Sequence, residues 1–100
     1  MFARLVSAQV GADKVNEGIT IWKEKDIPLM ESVKGYRGAY LLIDRKTGKV
    51  TSMTLWDSEE EAIADEKSIL HQEQVDMYKG LLLGEPITQY FEVKAKHKID

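Results

Sequence analysis

Few side chains in this 100-residue chain have the chemistry to act on a small molecule. His71 is the only histidine outside the C-terminal tail. A neutral imidazole takes a proton near neutral pH, so His71 could deprotonate a phenol. The competing reading is an ordinary histidine on a polar helix, since Gln72 and Glu73 follow it, and the sequence weighs toward that. Trp22, Tyr40, Trp56 and Tyr78 could line an aromatic pocket, their polar tips orienting a ligand oxygen. The tryptophans weigh more as core. Ser7, Gln9, Asn16 and Thr54 are polar groups on or near apolar segments and could face the same space. Glu66, Glu73 and Asp76 read as solvated.

Other chemistries are excluded or unsupported. Without cysteine there is no thiol nucleophile, disulfide or thiolate metal site, which fits the cytoplasm. Two histidines with no spaced carboxylate partner give no metal site. No Ser-His-Asp spacing and no Gly-rich phosphate loop is present, and no cofactor is expected. The net charge of −3 and the absence of a basic block argue against nucleic acid or an anionic membrane. Lys94, Lys96 and Lys98 read as a solvated tail. No apolar run approaches about 20 residues, and the N-terminus has no signal-peptide h-region.

The elements that must position these groups centre on residues 35 to 57. Tyr36 to Ile43 suits a pleated strand, Asp44 to Lys49 a tight turn with Gly48 at positive φ, and Val50 to Trp56 the returning strand. In simple alternation Tyr36, Tyr40 and Leu42 share one face and Ala39, Leu41 and Ile43 the other. Both faces are apolar, so both should be covered.

Residues from about 2 to 10 form a first strand, with Phe2, Val6, Ala8 and Val10 on one face. From about 12 to 32 the period is helical through Val15, Ile19 and Trp22, and Pro28 predicts an end or kink near Asp26, then a short turn carrying Leu29 and Met30. Ser58 with Glu61 is a capping box. It opens a helix from about 59 to 79 with a thin stripe of Ala62, Ile63, Ile69, Leu70, Met77 and Tyr78, which buries little along its middle or breaks near Ser68. Leu81-Leu82-Leu83 needs a cover. Pro86 opens a last strand from about 87 to 95, with Ile87, Phe91 and Val93 opposite Tyr90, and 97 to 100 read as frayed.

The order strand, helix, strand, strand, helix, strand is the ferredoxin-like βαββαβ arrangement, α+β in class, in one domain over 1 to 100. Both helices lie on one face of a four-stranded antiparallel sheet. The other face is left apolar, and a second copy packed sheet to sheet would cover it, giving a homodimer.

Gly35-Tyr36-Arg37-Gly38-Ala39-Tyr40, then Leu41 to Arg45, then Leu55-Trp56-Asp57-Ser58-Glu59-Glu60 resemble the antibiotic biosynthesis monooxygenase-type domain of the dimeric α+β barrel superfamily. That family enters its second strand through a G-[FY]-x-G turn and leaves its third through a W-x-[ST] step. The resemblance spans about 2 to 93. It implies a homodimer with a cleft between helices and sheet in each subunit, and oxidation of polycyclic aromatic phenols or quinols by oxygen without metal or flavin in some members. Others degrade haem with an Asn-Trp-His triad. Ser7, Ala64 and Gln74 fall at those places, so the triad is absent. Two functions stay open: a cofactor-independent monooxygenase acting on an aromatic ligand, or a non-catalytic homodimer that binds a ligand or serves as an interaction module.

Overall fold

A computed structural model describes residues 1–98, so Ile99 and Asp100, part of the expected frayed tail, lie outside the described residues. Four antiparallel strands form one sheet in the order β2-β3-β1-β4. They are β1 (Phe2–Gln9), β2 (Tyr36–Asp44), β3 (Lys49–Trp56) and β4 (Ile87–Glu92). The helical elements α1 (Val15–Ile21), α2 (Ile27–Met30), α3 (Glu59–Glu66) and α4 (Ile69–Asp76) complete the ferredoxin-like α+β fold. β4 stops short of Ala95, although Val93 still donates its N–H to the Met1 carbonyl at 2.9 Å.

The β2–β3 hairpin closes as its turn residues dictate. Asp44 Oδ1 accepts from the Lys46 and Thr47 amides at 2.9 and 3.4 Å. Gly48 takes φ +78° and donates to the Asp44 carbonyl at 2.9 Å. At the other end the simple alternation fails. Tyr36 pairs with Trp56 and Gly38 with Leu55, so β2 advances two residues while β3 advances one. This bulge moves Tyr36 to the helix side, opposite Tyr40 and Leu42, and corrects the face assigned from alternation. Its ring meets Trp56 edge-on, with centroids 5.8 Å apart.

The first helical layer is distorted up to Asp26, and a short turn carrying Leu29 and Met30 follows, as Pro28 predicts. A 3-10 turn (Ala12–Lys14) leads into α1, and a wide π turn (Trp22–Asp26) links α1 to α2. Ile27 donates to the Trp22 carbonyl, five residues back. Pro28 lacks an N–H and its ring would strike the preceding turn, and the extra residue of a π turn makes room for it.

The second layer breaks where its polar middle suggests. Ser58 caps α3, its Oγ accepting from the Glu61 amide at 3.2 Å and donating to the Glu61 carboxylate at 3.0 Å. Ser68 then ends one helix and starts the next. Its Oγ donates to the Asp65 carbonyl at 2.6 Å and accepts from the His71 amide at 3.1 Å. The restart resets the helical phase. Ile69, expected in the apolar stripe, is 80% exposed, and Gln74 is buried.

Two clusters form the core between helices and sheet. Val10, Val15 and Leu81 anchor one; Met30, Trp56 and Ala62 anchor the other, with Tyr36 and Tyr90 packed on it. Leu81 is thus covered, while Leu83 stays exposed. Among the described residues no element covers the opposite face of the sheet. Tyr40, Leu42, Ile87 and Phe91 on it are each at least half exposed.

Candidate functional site

A cleft of about 140 Å³ opens between the two clusters, roofed by helices and floored by the sheet. Alternate residues of β1, Arg4, Val6 and Ala8, supply the floor together with Ser52 and Thr54 of β3. The π turn supplies Trp22 and Asp26. His71, Gln74 and Tyr78 follow at spacings of three and four along α4 and the turn after it, one continuous face.

The walls are mostly apolar, and their polar groups are tied together in two knots. In the first, Asp26 is half-buried. Its Oδ2 accepts from Tyr78 Oη at 2.5 Å and its Oδ1 from Gln74 Nε2 at 2.8 Å. Gln74 Nε2 also lies 3.0 Å from Met30 Sδ. Burial pushes the Asp26 carboxyl above its ordinary value, although the Tyr78 and Gln74 hydrogen bonds pull it back down. Burial, then the hydrogen bond to Asp26, pushes the Tyr78 phenol well up.

The second knot is centred on Arg4, buried to 3% exposure. Its Nη2 donates to Asp65 Oδ2 at 2.9 Å and its Nη1 to the Ala62 carbonyl at 3.1 Å, and the guanidinium carbon stands 5.0 Å from the Trp56 ring centroid. His71 Nδ1 is 3.7 Å from the same Asp65 oxygen. Burial, reinforced by the Arg4 charge and opposed by Asp65 and Glu66, pushes the His71 pKa below its ordinary value. Trp22 donates its indole N–H to Ser52 Oγ at 3.1 Å.

Of the residues singled out from the sequence, the fold brings His71, Trp22, Tyr78 and Thr54 to the cleft. It does not bring Trp56 or Tyr40 there. Trp56 is wholly buried, its indole N–H bonded to Thr54 Oγ1 at 2.8 Å beneath Arg4. Tyr40 projects from the uncovered face of the sheet, 59% exposed, because its place in the strand alternation is opposite to Leu41. Ser7 pairs with Thr51 at 3.0 Å, Gln9 reaches the Val10 and Thr47 carbonyls, and Asn16 accepts from Arg45 Nη1 at 3.1 Å. Glu66, expected to be solvated, instead accepts from the Tyr90 hydroxyl.

Asp26, Arg4, Asp65 and Gln74 were not legible as site residues from type alone. One signal was present for Arg4: it falls in phase with Phe2, Val6, Ala8 and Val10, a charge on an otherwise apolar strand face. Among the described residues no group of three or more His, Cys, Asp or Glu side chains is placed to hold a metal ion. Among the same described residues no helix is long and apolar enough to cross a membrane.

The fold is shared with known structures. A monooxygenase from the gene ActVA-Orf6 of Streptomyces coelicolor, solved in complex with the ligand nanaomycin D, superposes with a TM-score of 0.81. The superposition covers 99% of this chain and 92% of that one at 14% identity. An antibiotic biosynthesis monooxygenase matches over 95% of this chain and 100% of its own, with a TM-score of 0.75 and 8% identity. The chain has the fold of antibiotic biosynthesis monooxygenase-type proteins. The same fold occurs in a conserved protein from Methanosarcina mazei Go1, with a TM-score of 0.76 and 19% identity over 94% of each chain. No family model matches the sequence. Uncharacterized proteins MT2634 and Rv2557 of two Mycobacterium tuberculosis strains are 36% identical to it over 55 residues, 55% of this chain. That stretch spans a quarter of the length of those relatives.

Proposed function

We propose that this monooxygenase-like protein oxidises a small aromatic phenol or quinol with oxygen as co-substrate and without a bound cofactor. The observation that carries this reading is the pairing, in one apolar cleft, of Trp22 with His71, whose imidazole burial disfavours in its charged form. Apolar walls take up the ring, and an imidazole in its basic form can draw the proton from a phenol. The resulting phenolate is electron-rich, which is what direct reaction with oxygen requires. A cleft of about 140 Å³ suits one aromatic ring better than several, since a dry apolar cavity of about 150 Å³ holds a benzene.

The active species is a homodimer in this reading. The uncovered sheet face, with Tyr40, Leu42, Ile87 and Phe91 exposed, supports a second copy as its cover. The same face supports the alternative, a non-catalytic homodimer that binds a small ligand or serves as an interaction module.

Oxygen uptake by the purified protein, with a panel of phenols and quinols and no added metal or flavin, separates the two. Turnover that collapses in His71→Ala supports the oxygenase with His71 as its base. Turnover that survives His71→Ala keeps the enzyme and removes that base. No uptake with any ligand shown to bind leaves the binding dimer.

A further inference from the structure

We propose that Asp26, held by Tyr78 and Gln74, anchors the hydroxyl group of a single-ring ligand seated in the cleft. This rests on the quinol side of the reading above and assigns the ligand's orientation within it: one ring hydroxyl donates to Asp26, and a second hydroxyl is the one left for His71.

The geometry of the carboxylate is the starting point. Tyr78 donates to one Asp26 oxygen at 2.5 Å and Gln74 to the other at 2.8 Å. Both donors fit an ionised, acceptor-only carboxylate, which offers about four acceptor positions. Two are filled, which leaves one on each oxygen. Asp26 lines the cleft, and among the described residues no cation pairs with it, because the Arg4 guanidinium is committed to Asp65 and the Ala62 carbonyl. A half-buried carboxylate with spare acceptor capacity and no direct ion pair, on which the Arg4 charge acts only through space, is stabilised by any further donor that reaches it without water.

Its placement fits a ring hydroxyl. The π turn that relieves Pro28 carries both Trp22 and Asp26, so one local distortion presents an aromatic wall and an acceptor to the same space. Two classes of donor could end such a ligand. An ammonium would bring three donors and a full charge into walls that are mostly apolar, at a large desolvation cost. A hydroxyl brings one donor and no charge. The cleft volume limits the body behind it to about one ring.

The test is equilibrium binding under anaerobic conditions, by calorimetry and by tryptophan fluorescence, so that no oxidation is involved. The probes are 4-methylphenol, its methyl ether and benzylamine. The phenol should bind about tenfold or more tighter than the ether, the scale of a hydrogen bond to a charged group. Asp26→Asn should erase that ratio. Tyr78→Phe should preserve it, because the loss of the tyrosine hydroxyl frees an acceptor position on Asp26. Each variant is checked for a native circular dichroism spectrum. If Asp26→Asn does not fold, Tyr78→Phe still decides, since a ratio that collapses there makes the tyrosine the anchor. The assignment is overturned by equal affinity for phenol and ether, by tighter binding of benzylamine, by a ratio that survives in Asp26→Asn, or by no binding of any probe. Binding with the expected ratio but no oxygen uptake would sink the oxygenase reading and leave this anchor standing.

Discussion

Arg4 and Asp65, 61 positions apart in the chain, meet at 2.9 Å with side chains only 4% and 2% exposed. The pair ties the first strand to the last turn of α3; its arginine lines the cleft, as does His71, which lies 3.7 Å from the Asp65 carboxylate. Arg4→Met should destabilise the fold by about 3–5 kcal/mol, because it leaves Asp65 charged, buried and unpaired. The double variant Arg4→Met/Asp65→Leu should recover most of that loss, since a well-packed apolar pair replaces a buried ion pair at little cost. Urea denaturation of both variants measures it. A single variant no less stable than the double one would refute the account.

What the sequence disclosed and what it hid divide along the range of the interactions. The Asp44–Lys49 turn and the Ser58–Glu61 capping box were legible because their donors and acceptors lie within four residues of each other. The order of elements followed, and with it the fold. Tyr36 was placed on the wrong face because one bulge at Gly38 shifts the alternation, and nothing in the local pattern marks which residue is extra. The cleft was half legible. His71, Trp22 and Tyr78 stood out by type, but Asp26 matters through Tyr78, 52 positions away, and through a π turn that no periodicity predicts. Trp56 drew notice as an aromatic, yet its depth is set by Arg4 above it and Met30 and Ala62 beside it.

Acid should act on His71 and Asp26 in opposite senses. Burial lowers the His71 pKa from 6.5, so the folded state binds fewer protons there than the unfolded chain. Stability from this group is complete above pH 6.5 and falls as the pH drops below it. Asp26 is raised above 3.8, so its folded form binds more protons, and its contribution is complete at low pH and is lost as the pH rises through the raised value. His71→Gln should therefore flatten the decline below about pH 6.5, while Asp26→Asn should make stability fall more steeply as the pH drops toward 3.8. Urea midpoints from pH 4 to 7.5 for the three proteins provide the readout, and parallel curves for His71→Gln and wild type would count against the burial of this imidazole.

Two glycines should respond to alanine with opposite signs. Gly48 has φ +78°, and a Cβ there would lie 2.3 Å from the Val10 carbonyl oxygen, part of a backbone held in the sheet. Gly48→Ala should cost more than about 1–2 kcal/mol, the left-handed penalty alone before the clash. Gly18 lies inside α1, and its Cβ would meet Leu81 at 3.8 Å, ordinary contact. Gly18→Ala should gain about 0.5–1 kcal/mol from helix propensity. Thermal melts rank the two directly. Because Gly18 lines the cleft, the added methyl should also weaken ligand binding in a more stable protein.

The uncovered face of the sheet sets the last expectation. Tyr40 and Leu42 on β2 and Ile87 and Phe91 on β4 flank a strip in which Leu5, Met53 and Leu55 are half-buried. A charge placed there is harmless to a monomer, whose surface it would join, and costly to a dimer, which would have to desolvate it. Leu42→Lys and Phe91→Lys should each keep the native circular dichroism spectrum and shift the protein from dimer to monomer in light scattering after size exclusion. A wild type already monomeric at micromolar concentration would remove the dimer altogether. Dimers that survive both lysines would move the interface off this face. The cleft lies on the other side of the sheet, so monomers made this way should still bind the phenol probe within about threefold of wild type. A larger loss would mean that the second copy helps to shape the site.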